Sequence, residues 1–127
     1  MNVRIAIVLL CGSLLLSVMT ATSFAHHSYA MFDQTKVATV EGTMAKVEWK
    51  DPHVWFWAYV SDGKGGYDLY GFESASINNL ARQGWTLSTL KPNDKVTIQY
   101  NPLVDGRHGG FFRSATFPDG SKTPGGN

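Results

Sequence analysis

Val37-Ala38-Thr39-Val40-Glu41-Gly42-Thr43-Met44-Ala45-Lys46-Val47-Glu48-Trp49 is the stretch on which the fold turns. It is long, and it is rich in Val and Thr, as strands are. Gly42 interrupts it. The apolar positions Val40, Met44, Val47 and Trp49 do not keep one parity. That combination predicts one strand with a bend or bulge, able to serve two sides of a curved sheet.

Downstream, Lys50-Asp51-Pro52-His53 reads as a turn whose backbone Pro52 fixes. Residues 54–60 form a second strand with apolar side chains on both parities: Val54, Phe56, Ala58 and Val60 on one side, Trp55, Trp57 and Tyr59 on the other. Such a strand is either covered twice or presents one face to a ligand. A Gly-rich hairpin loop over 61–66 returns the chain into a third strand, 67–72. Then the period changes. Ser74 or Ser76 caps a short helix with Ile77, Leu80 and Ala81 on one face, and Gly84 is placed to stop it. Trp85 follows as a plug beneath it. After the turn Lys91-Pro92-Asn93-Asp94, residues 95–100 form a fourth strand. A Pro- and Gly-rich loop, 101–110, leads to a fifth, 111–117.

Three strands, a helix and two strands (β-β-β-α-β-β) is the element order of an OB-fold, a five-stranded Greek-key barrel. The sequence therefore predicts a mainly β, small OB-like barrel over 37–117, with a half-open β-sandwich as the main competitor. Residues 26–36 lack a clean period, but Tyr29, Met31 and Phe32 would pack this segment on the domain. Residues 118–127 have no apolar periodicity and predict a frayed tail.

Upstream, residues 1–25 have the layout of a cleaved signal peptide: a basic start at Arg4, an apolar run over 5–18, and Ser23-Phe24-Ala25 as the cutting site. The run is short for a membrane span of about 20 residues. A periplasmic or secreted location is expected, with no transmembrane anchor after processing. Removing the segment leaves about 100 residues, enough for one compact domain and too few for two. Cys11, the only cysteine, falls within it. Leu10 stands where a lipoprotein signal wants a small residue. Ten basic side chains then balance ten acidic ones, so no basic stripe points to nucleic acid. A carbohydrate, a lipid-like molecule or a protein is the expected kind of partner.

Cutting after Ala25 exposes His26 and His27 at the new terminus. A free amine and imidazole nitrogens suit copper(II), and Met31 is a soft ligand for copper(I). His53, in a turn, is the expected third ligand, ahead of His108 in the Gly-rich loop. The rival reading is a solvated, uncharged start. A motif requiring His at the third mature position is absent, since Ser28 stands there. The second constellation is the row Trp55, Trp57 and Tyr59. Large apolar patches are seldom left exposed, so this row is expected inside the barrel, with Val54 and Phe56 under the N-terminal segment. Turned outward, the same row becomes a ligand-binding face, since OB-folds bind on strands two and three. The third is Asp105-Gly106-Arg107-His108-Gly109-Gly110, expected to be a tight connection. No G-x-S-x-G, H-E-x-x-H or C-x-x-C motif occurs. Asp51, His53 and Glu73 read as turn and surface groups, so a non-enzymatic binding module is expected.

The stretch His26-His27-Ser28-Tyr29-Ala30-Met31-Phe32-Asp33 resembles a family of small exported bacterial proteins known as domain of unknown function 6152. Val40-Glu41-Gly42-Thr43, Asp51-Pro52-His53, Gly84-Trp85, Leu90-Lys91-Pro92, Asn101-Pro102-Leu103 and Pro118-Asp119-Gly120 extend the resemblance. Asp51 stands where Asn is expected, and His108 where a residue other than His is expected. The resemblance implies export and a single small β domain, and it supplies no catalytic residues.

Overall fold

The computed structural model describes residues 29–125. The elements are β1 (Ala38–Glu48), β2 (Trp55–Ser61), β3 (Tyr67–Glu73), α1 (Ile77–Arg82), β4 (Lys95–Pro102) and β5 (Gly109–Thr116). The strands close into a barrel in the order β1-β2-β3-β5-β4. All pairs are antiparallel except β3 with β5. This is the expected OB-like architecture, and closure removes the sandwich alternative.

β1 carries the closure. Its first part pairs with β4 from Ala38 to Thr43, and its later part pairs with β2 from Gly42 to Glu48. Gly42 is the residue common to both ladders that bends. A Cβ there would lie 2.8 Å from the Tyr59 carbonyl oxygen, closer than real side chains approach backbone. A register shift between Met44 and Lys46 places a bulge after the bend. The broken parity of the sequence is this bulge: Met44 and Val47 both turn inward although three residues apart.

Phe56, Ala58, Phe72, Ile98 and Ala115 have no exposed surface and fill the barrel. The helix and its exit seal one end. Ser76 caps α1 by accepting from the Asn79 N–H. The Trp85 N–H bonds back to the Leu80 carbonyl while Gly84 takes φ 94°, a Schellman ending that only glycine adopts without strain. Trp85 is thereby driven into the barrel mouth, stacked on Phe56 at 5.2 Å and edge-on to Phe112 at 5.7 Å.

Three expectations change. The tail is not frayed as far as the description reaches. Thr123 is buried, exchanges hydrogen bonds with Ala115, and leads to Pro124, whose carbonyl accepts from the Trp85 indole at 2.9 Å. Glu73 is buried rather than a surface group. Gly109 and Gly110, read as loop, begin β5. Side chains there would lie 1.9 Å from the carbonyl oxygens of Gly71 and Asn101. Their absence is what lets three strands converge. Residues 32–36 do lie on the barrel: Phe32 bridges to Leu103, Asp33 N–H bonds the Pro102 carbonyl, and the Asn101 amide bonds the Lys36 carbonyl. His26, His27 and the rest of 1–28 lie outside the described residues.

Candidate ligand-binding face

The row Trp55, Trp57 and Tyr59 turns outward, contrary to the expectation that it would fill the barrel. Its alternates Phe56, Ala58 and Val60 are the buried side of β2. One residue without a side chain and one half-buried acceptor explain the choice. Gly71 is paired with Trp57 across β3, and a Cβ at Gly71 would lie 2.7 Å from the indole ring. The ring therefore lies flat over bare backbone. On the β1 side, Glu48 Oε2 accepts from the Trp57 indole N–H at 2.9 Å. An indole turned inward would lose that partner, and an unpaired buried N–H is costly.

The rest of the face follows from register, since directly paired residues share a side of the sheet. Lys46 and Glu48 flank the row on β1, and Gly71, Leu69 and Tyr67 flank it on β3. Trp55 stacks on Trp57 with ring centroids 5.7 Å apart, and the Lys46 ammonium sits 5.1 Å from the Trp57 ring. Lys46 and Lys50 both pair with Glu48. The hydrogen bond from Lys46, then that from Trp57, holds the Glu48 carboxyl down to about 2. Trp57 is thus fixed, while Tyr59, Leu69 and Tyr67 are 50%, 46% and 72% exposed. A fixed aromatic base running into exposed rings is the composition of a stacking surface.

His53 stands at the edge of this face. Its Nδ1 is hydrogen-bonded to Oε1 of Glu73, and Glu73 pairs with Trp55 in the sheet. The turn holding His53 contains a cis Asp51–Pro52 bond. His108 does not join it. Its ring stacks on Tyr70 at 4.7 Å, and its Nδ1 lies 3.7 Å from Asp68. Tyr100 borders Tyr70, and burial together with that neighbour raises its phenol. The loop before His108 is closed by Arg107 on Asp105: its backbone N–H at 3.1 Å and then its guanidinium at 2.7 Å lower the Asp105 carboxyl. Among the described residues no three or more His, Cys, Asp or Glu side chains are grouped to hold a metal ion.

The sequence singles out Trp55, Trp57, Tyr59 and His53, gives no role to Glu48 or Gly71, and makes Glu73 a surface group. A glycine inside a strand pattern does signal close approach of another group, and Gly71 carried that signal. No curated protein matches the chain, and no solved structure does. The model of a family of unknown function, DUF6152, matches residues 14–113, and the chain belongs to that family.

Proposed function

We propose that the chain is an exported periplasmic binding module that works through the outer aromatic face of β2 and β3. One observation carries this reading: Trp55, Trp57 and Tyr59 face outward although the strand had an equally apolar alternative. Trp55 and Trp57 are half-buried and Tyr59 is exposed, and so large an apolar row is seldom left on an outer face unless something docks on it. OB-folds use this face for ligands, and a balanced net charge favours a neutral ligand or a protein over nucleic acid. The test is co-purification from cells expressing the full-length sequence. Wild type and a Trp55→Ala/Tyr59→Ala variant are isolated in parallel and everything they carry is identified by mass spectrometry. The reading expects bound species on wild type that are missing from an equally folded variant. Identical cargo on both would sink it.

A second reading, copper binding or delivery by His26 and His27 with His53 as third ligand, draws support from the His53–Glu73 pair. Metal-ligating histidines characteristically donate one ring N–H to a carboxylate, leaving the other nitrogen for the metal. Processed protein titrated with copper against a strong chelator tests this. Loss of affinity in His53→Ala is expected, and unchanged affinity rejects the three-histidine site.

A further inference from the structure

The outer face does not end at Tyr59. It runs into a groove of about 450 Å³, inside the roughly 300–1,000 Å³ typical of small-molecule sites. Gly42, at the bend of β1, is part of its lining. Register sets the order across it: Tyr59 on β2, Thr43 on β1, Lys95 on β4. Tyr67 extends the β2 side, and Glu41 lies beside Thr43.

Two features of this lining narrow the occupant. The rings of Tyr59 and Tyr67 are exposed, so a flat apolar surface can stack on them without displacing core. Glu41 and Lys95 both line the groove, and neither is in an ion pair among the described residues. One free charge of each sign leaves little net field, which disfavours an anion or a cation. The two groups instead offer an acceptor and a donor for strong hydrogen bonds, with the Thr43 hydroxyl between them. A molecule with an apolar C–H face and a rim of neutral hydroxyls matches both features. We infer that the groove binds a neutral oligosaccharide, with pyranose rings stacked on Tyr59 and Tyr67 and sugar hydroxyls held by Glu41 and Lys95.

This rests on the outer face being the working surface, because Tyr59 belongs to both. The test is an NMR titration of isotope-labelled protein, expressed from the full-length sequence, with neutral linear oligomers of glucose, mannose and N-acetylglucosamine. At least one oligomer should shift the amides of Thr43, Tyr67 and Thr97, all of which line the groove. Tyr67→Ala should then weaken binding about tenfold, the size of one aromatic anchor. Glu41→Gln and Lys95→Gln should weaken it less while leaving the spectrum folded. No response to any neutral oligomer, or a response only to acidic ones, overturns the inference. Shifts confined to Trp55 and Trp57 also overturn the groove, while leaving the outer face in place. If the Trp55→Ala/Tyr59→Ala variant keeps all its cargo, the face reading itself has failed, whatever the groove does.

Discussion

The two sides of β2 are made of similar material and do different work. Phe56 and Ala58, on the inner side, have no exposed surface, and Phe56 packs against Trp85 of the helix plug and Phe112 of β5. On the outer side, Trp57 rests on bare backbone at Gly71 and on one carboxylate at Glu48, Trp55 stacks on Trp57, and Tyr59 is exposed. The inner side is held by volume, and the outer side is held by particular partners. Hydrophobicity alone therefore does not separate a core from a binding surface. What separates them is whether neighbouring elements supply bulk or leave room.

Substitutions on the two sides should split accordingly. Phe56→Ala removes a fully buried ring and should cost about 3–5 kcal/mol in chemical denaturation, and a cost near that of a surface change would break the contrast. Gly71→Val is next. Its side chain must displace the Trp57 ring, at about 1–3 kcal/mol, and near-UV circular dichroism should change with it. Unchanged dichroism would mean that Trp57 does not lie on Gly71. Trp57→Phe keeps an aromatic ring but deletes the indole donor, an effect of about 1 kcal/mol.

The same contact predicts a pH dependence. The folded-state value of Glu48, about 2, lies below the ordinary 4.5. Its contribution to stability is present above about 4.5 and is lost as the pH falls toward 2. Glu48→Gln should flatten that part of the stability profile, and a profile unchanged by the substitution would show that the Lys46 and Trp57 contacts do not form in solution. Tyr59→Ala should be the mildest, within about 0.5 kcal/mol of wild type, although it removes part of the proposed binding surface.

Much of the barrel was legible in the chain because its signals are local. Gly42 and the broken parity of 37–49 announced the bend and bulge of β1, and Gly84 with Ser74 or Ser76 bracketed the helix, whose cap is Ser76. The orientation of β2 was not legible, since alternation names two faces without saying which is inside. That choice depends on Gly71, fourteen residues beyond Trp57, and on Glu48 across the turn. The tail failed for a similar reason. Its composition is that of a loose end, yet Thr123 and Pro124 close onto Ala115 and Trp85 through hydrogen bonds that each use a main-chain group and carry no sequence signature. His53 looked like a turn residue because its partner, Glu73, arrives from the far end of β3.

Paramagnetic broadening of tryptophan ring signals by a soluble, uncharged gadolinium chelate tests the orientation of β2 most directly. The rings of Trp55 and Trp57 should broaden while Trp85, packed against Phe56, stays sharp. Equal protection of Trp55, Trp57 and Trp85 would mean that the aromatic row lies in the interior, and the binding face would not exist.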